Sequence, residues 1–417
     1  MYRPRSATAR LQRLLEQFPA VVVAGARQVG KSTLLRHLFD GRADIVVFDP
    51  VLDVENARAE PDLFLEQHGT PLVLDEIQYA PELVPALKRW IDRDRRPGRY
   101  VLTGSQQWEV LRALSESLAG RVAFLDLEGF SLAEMAGAVD EAEPRPSWLE
   151  RWLDSPQDLL ESRPTRLEGG RPLFDRLWRG SLPDAELLDE DVVPELHAAY
   201  ERTYIERDAR LIGEVDDWQL FGRFFRMVCA STAQEINHSK LGRELGISPQ
   251  TSRRWLDMLV ATFQWHEVPA WSGNTLKRVS KKPKGFLADT GTVCAAMRIS
   301  SPAALADHPA IGAIHETAVV GEIRRLASVL TSKPILHHWR THAGAEVDLI
   351  LERDGVLHPI EIRSTTHPRP SDVRGIRSFR DTYPRLRVGM GLVLAPTSTV
   401  VRLTPTDAAL PWDLAPR

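Results

Sequence analysis

Short apolar runs alternate with helical stretches through the first third of the chain. Ala20–Ala24, Ile45–Phe48, Pro71–Leu74, Arg99–Thr103 and Arg121–Leu125 read as strands, and the four runs between Val21 and Leu102 show little polar alternation. That pattern belongs to strands buried on both faces, so residues 1–138 are expected to form a parallel α/β sheet covered by helices. After Met135 the composition turns to Glu, Pro and Arg, and no period is sustained from Val139 to Arg171. Residues 139–192 therefore read as a connecting region with short helices. A helical region from Val193 gives way near Val268 to strands and turns, and 193–300 is expected to be a helical and winged-helix domain. From Gly312 onward a helix, three strands, a helix and a strand predict a second α/β domain at 301–417.

At 417 residues the chain is too long for one core to keep growing. Its 43% hydrophobic and 26% charged residues are ordinary for a globular protein, and no apolar run is long enough to span a bilayer. The segment after Met1-Tyr2-Arg3-Pro4-Arg5 is amphipathic and carries Arg10 and Arg13, so a cytoplasmic protein is expected. Cys229 and Cys294 stand 65 residues apart with no CxxC or CxxH spacing, which argues for buried filler over a disulfide framework or zinc site. The net charge of -4 means that any nucleic-acid contact must come from a local patch.

Gly25-Ala26-Arg27-Gln28-Val29-Gly30-Lys31-Ser32 fits G-x-x-x-x-G-K-[ST] between an expected strand and a helix beginning near Thr33. Such a loop wraps a phosphate chain with backbone N–H groups; Lys31 reaches the terminal phosphates and Ser32 ligates Mg²⁺. Leu72-Val73-Leu74-Asp75-Glu76 ends an apolar run on two carboxylates. Asp75 is the candidate Mg²⁺ holder and Glu76 the candidate general base, a pairing that favours hydrolysis over nucleotide binding alone. Ser105 or Gln106, after the next strand, is the candidate sensor of the γ-phosphate, with helix capping by Ser105 as the competing reading. Arg121 reads as an arginine finger acting across a subunit boundary or as a surface salt-bridge partner.

Tyr2-Arg3-Pro4-Arg5, the Gly25–Ser32 loop, Leu74-Asp75-Glu76-Ile77-Gln78, Leu102-Thr103-Gly104-Ser105 and Ser117-Leu118-Ala119-Gly120-Arg121 together resemble the prokaryotic AAA-type ATPases with a C-terminal domain of unknown function 4143. The resemblance covers nearly the whole chain. It implies ATP and Mg²⁺ as ligands and a central strand between those bearing Lys31 and Asp75. It further implies a winged helix and a nuclease-like end domain. Gly129 departs from the family, which more often has proline there.

Ser239–Leu245 reads as a short helix, Gly246 as its stop, and Ser248-Pro249 as the cap and first residue of a second helix, the helix-turn-helix pattern. Between Ser239 and Gly285 nine Lys or Arg face three acids, so this segment carries +6 and the remainder -10. Arg253 and Arg254 are its candidate nucleic-acid contacts, although winged helices and lysine runs also serve as protein contacts and solvated loops.

Glu316 falls in a helical stretch, Asp348 on the strand Val347–Leu351, and Glu361 and Arg363 on the strand Ile360–Arg363. The arrangement resembles the PD-(D/E)-x-K nucleases, with Asp348 and Glu361 as metal ligands and Glu316 as an added acid. Arg363 stands where that superfamily has lysine, and a guanidinium does not act as a base at neutral pH. An impaired nuclease and a structural salt-bridge cluster are the two readings. His337, His338 and His342 read as fold or phosphate contacts. The expected activity is Mg²⁺-dependent ATP hydrolysis driving a switch on DNA or a protein partner, in an oligomer or alone. An active ATP-dependent nuclease and a non-catalytic ATP-binding protein are the alternatives.

Overall fold

The computed structural model describes residues 2–49, 54–104, 118, 120–205, 215–273 and 282–416. The strands β1 (Ala20–Ala24), β2 (Asp44–Val47), β3 (Leu72–Asp75), β4 (Tyr100–Gly104) and β5 (Val122–Asp126) form a parallel sheet in the order β2-β3-β4-β1-β5. Every residue of β1, β3 and β4 is buried, as their unbroken apolar runs require, whereas the edge strands β2 and β5 expose Val47 and Phe124. Tyr100 pairs with Ala20 on one side and Leu72 on the other, so β4 stands between the strands leading to Lys31 and Asp75.

The middle of the chain packs the helices Trp218–Ala230, His238–Leu245 and Pro249–Ala261 against an antiparallel sheet of order β6-β8-β7, where β6 is Gln234–Glu235, β7 Trp265–Val268 and β8 Lys284–Leu287. Gly246 ends one helix at φ 71°, a left-handed value that glycine adopts without strain. Ser248 caps the next, its hydroxyl accepting from the Thr251 amide at 3.0 Å, with Pro249 as first residue. Phe221 and Phe224 meet Trp255 edge-on at 5.4 and 5.3 Å and fix the helices against one another.

The last third is a mixed sheet of order β13-β14-β12-β11-β10-β9, built from β9 (Ile335–Arg340), β10 (Glu346–Arg353), β11 (Val356–Ile362), β12 (Gly391–Ala395), β13 (Val401–Thr404) and β14 (Asp407–Pro411). Leu349, Leu351, Ile360 and Ile362 share a core with the helix Ile311–Ser328, while Val347, Ile350 and Leu357 pack with Ile376 and Phe379 of the helix Arg374–Thr382. Residues 139–192 contain short helices whose Trp148, Trp152, Leu177 and Trp178 belong to that first core, which runs on through the middle helices. Cys229 and Cys294 are free thiols buried in it. Among the described residues no helix is long and apolar enough to cross a membrane.

Candidate active site

β1 runs straight into the glycine-rich loop, and a Cβ on Gly25 would collide with the Leu127 carbonyl. Gln28 at φ 60° and Gly30 at φ 91° curl the loop before the helix Lys31–Phe39 begins. This is the backbone form that makes an anion-binding concavity at a helix N-terminus. Lys31 is buried, and its ammonium donates to the carbonyls of Gly25 and Ala26 at 2.9 and 2.8 Å, within the loop it is expected to serve. Ser32 and Thr33 lie in the first turn of the helix.

Asp75 ends β3 with only 3% of its surface exposed. Thr103, on the intervening strand β4, donates its hydroxyl to the Asp75 carboxylate and accepts the Glu76 amide at 2.9 Å. One side chain thereby sets both acidic residues, a role that the sequence motif does not advertise. Its signal is register alone, because β4 pairs with β3 through Leu74 and Leu102, one residue short of Asp75 and Thr103. Glu76 adopts φ 61°, and its carboxylate accepts from the Gln78 amide. Ser105 and Gln106, the candidate sensors, lie outside the described residues. The hydroxyl of Ser32 and the carboxylate of Asp75 are hard oxygen donors of the kind Mg²⁺ takes, so the residues fit that ion.

Arg5 is a participant that sequence reasoning used only as part of a motif. Its guanidinium is buried and donates to the Val29 carbonyl of the loop and to the Glu128 carbonyl, both at 2.7 Å. It also pairs with Glu134 at 3.2 Å and lies 4.9 Å from the centre of the Phe130 ring. Gly129 belongs to the same turn, where a Cβ would sit 2.5 Å from the Ser181 carbonyl, and that close approach suits glycine here.

Arg121 is placed differently from an arginine finger of its own subunit. It precedes β5 at the end of the parallel sheet opposite the phosphate loop, and it grips Asp92 with two nitrogens at 2.6 and 3.1 Å. The parallel direction of β1 and β5 is the reason, since the loop follows the C-terminal end of β1.

Arg253 and Arg254 are exposed on the helix after the turn, as are Lys240 and Arg243 before it. Lys277, Arg278 and Lys281 of the basic segment lie outside the described residues. Lys284 turns away from that surface: its ammonium bonds to Glu316.

In the C-terminal sheet β10 and β11 bring Asp348 and Glu361 to one guanidinium. Arg363 donates to Asp348 at 3.1 Å and to Glu361 at 2.8 Å. Burial, aided by the Asp348 charge and opposed by Arg363, pushes the Glu361 carboxyl up to about 9. Burial also lifts Glu316 to about 7, with Lys284 acting against it. His337 lies 3.1 Å from Glu352, and His338 is 3.1 Å from the Lys282 carbonyl. Among the described residues no three His, Cys, Asp or Glu side chains converge as a metal set.

Residues 17–136 match the AAA domain, 171–303 the domain of unknown function 8612, and 311–414 the domain of unknown function 4143. Over 413 residues the chain is 30% identical to the uncharacterized protein Rv2008c of Mycobacterium tuberculosis, covering 98% of this chain and 83% of that protein. The chain belongs to the AAA-type ATPases with a C-terminal DUF4143 domain. A Mycobacterium bovis protein, Mb2031c, matches with the same identity and coverage. Among solved structures, the Walker-type ATPase PABY2304 of Pyrococcus abyssi is similar at 16% identity and TM-score 0.40, over 71% of this chain and 99% of that one. The RuvB Holliday junction branch migration motor of Thermotoga maritima is similar at 16% identity and TM-score 0.31, over 67% and 95%. An AAA domain supports nucleotide binding and hydrolysis by this AAA-type ATPase.

Proposed function

We propose that this AAA-type ATPase hydrolyses ATP in a Mg²⁺-dependent cycle and uses nucleotide binding as a switch on DNA. The observation that supports the reading is that Lys31 and the Asp75-Glu76 pair follow the C-terminal ends of β1 and β3, the two strands that flank β4, whose Thr103 ties the two acids together. Lys31 and the loop amides hold the phosphates, helped by Gly25, Gln28 and Gly30 in shaping the loop and by Ser32 and Thr33 at the helix start. Ser32 and Asp75 would hold Mg²⁺, which when bound offsets phosphate charge. Glu76 orients and deprotonates the attacking water. Ser105 or Gln106 would sense the γ-phosphate, and Arg121 would reach a phosphate only in a neighbouring subunit.

The helix-turn-helix and its antiparallel strands make a winged helix, and the exposed Arg253 and Arg254 on its second helix supply phosphate contacts to DNA. ATP turnover measured with and without single-stranded and duplex DNA tests the reading. Stimulation is expected. Unchanged turnover together with no DNA binding would make the switch one that acts on a protein. An active nuclease is the rival reading, supported by Asp348 and Glu361 meeting on adjacent strands.

A further inference from the structure

Lys284 opens β8 with its backbone held on both sides, opposite Glu235 of β6 and Val268 of β7. Its Cα is therefore fixed by the middle sheet, while its ammonium reaches Glu316 on the helix Ile311–Ser328 of the C-terminal domain. Both side chains are largely buried, at 15% and 16% exposure. A single guanidinium, that of Arg363, spans Asp348 and Glu361, the two carboxylates that a divalent ion would share. The same guanidinium is braced by the Ile362 carbonyl at 2.8 Å and by Asp372 at 3.9 Å. Lys284 thus meets Glu316, and Arg363 meets Asp348, Glu361 and Asp372, so both cations are contributed by the chain itself.

We propose that Lys284 and Arg363 close the C-terminal acidic cluster as an ionic clasp between the middle sheet and the C-terminal domain, in place of a divalent-metal site. The reasons are positional and electrostatic. Arginine keeps its proton at any accessible pH, so the cation between Asp348 and Glu361 is permanent. A divalent ion would have to displace a half-buried guanidinium that already pairs with both carboxylates, or bind beside its positive charge. The clasp also lies along an existing seam. Trp271 donates its amide to the His338 carbonyl at 2.6 Å, and the His338 amide returns to the Pro269 carbonyl at 3.0 Å, joining the end of the middle sheet to β9. Lys284 and Glu316 add a charged tie beside those backbone bonds. The proposal rests on the C-terminal geometry and stands or falls apart from the ATPase reading.

The test is Mn²⁺ binding to the full nucleotide-free chain, followed by the electron paramagnetic resonance of free Mn²⁺. Wild type and Asp348→Asn are expected to hold the same amount, with no site that depends on Asp348. Lys284→Met combined with Arg363→Met should gain one Mn²⁺, and adding Asp348→Asn should remove it again. Uptake of one Mn²⁺ by the wild type that Asp348→Asn abolishes would overturn the proposal, and this comparison needs no folded clasp variant. A folded double variant that takes up no Mn²⁺ would equally overturn it, because the two cations would then not be what keeps the ion out.

Discussion

The guanidinium of Arg5 donates to the Val29 carbonyl at 2.7 Å, one residue before the left-handed turn at Gly30. Its other nitrogens hold the Glu128 carbonyl and the Glu134 carboxylate, so a single buried side chain ties the phosphate loop to the turn that follows β5. A loop that must wrap phosphate loses less freedom on binding when it is already shaped.

Arg5→Lys is expected to weaken ATP binding by roughly tenfold while kcat changes much less, since an ammonium cannot reproduce a fork of donors and each lost buried bond costs about 1–3 kcal/mol. Nucleotide titration beside steady-state kinetics checks it. A fall in thermal stability with unchanged ATP affinity would make Arg5 a fold residue only.

Lys31→Ala should remove most nucleotide affinity, and Glu76→Gln should keep ATP bound while slowing turnover by about 10²–10⁴. Thr103→Val should fall between them, because it leaves the Asp75 carboxylate and the Glu76 amide without their shared partner, while Thr103→Ser restores it. Equilibrium binding and phosphate release measure all four. Wild-type turnover in Glu76→Gln would remove this residue from the chemistry.

Replacing Arg253 and Arg254 together by Ala should weaken DNA binding and flatten its salt dependence by about one unit of slope per lost phosphate contact. Binding titrated across salt concentrations reports this directly. A slope identical to wild type would place the contact elsewhere.

Glu322 receives the Leu132 amide and is fully buried; burial lifts its carboxyl to about 7, with Arg325 opposing. The folded state therefore binds a proton more tightly than the unfolded state, whose glutamate titrates near 4.3. From about pH 4.3 to 7 the group's contribution to stability falls as pH rises, by up to about 1.4 kcal/mol per unit. Urea unfolding of wild type and Glu322→Gln across that range should show the wild type losing ground to the variant toward neutral pH. Parallel curves would show that Glu322 does not titrate there.

The glycine-rich loop, the strands that bracket it and the two helices on either side of Gly246 were legible in the sequence because each is local. A run of eight residues carries the whole loop motif, and Ser248, Pro249 and Gly246 mark helix ends by chemistry acting within a few positions. Short helices broken by caps and prolines hid the tryptophan-rich core contributed by 148–178, since no period persists long enough to be read. Arg5 meets Val29 across 24 positions, Thr103 meets Asp75 across 28, and Lys284 meets Glu316 across 32. In one dimension Lys284 is a member of a basic run and Arg121 is a charge before a strand. Strand register, sheet order and the direction in which β5 runs decided what each of them touches, because those depend on how distant segments bury their apolar faces together.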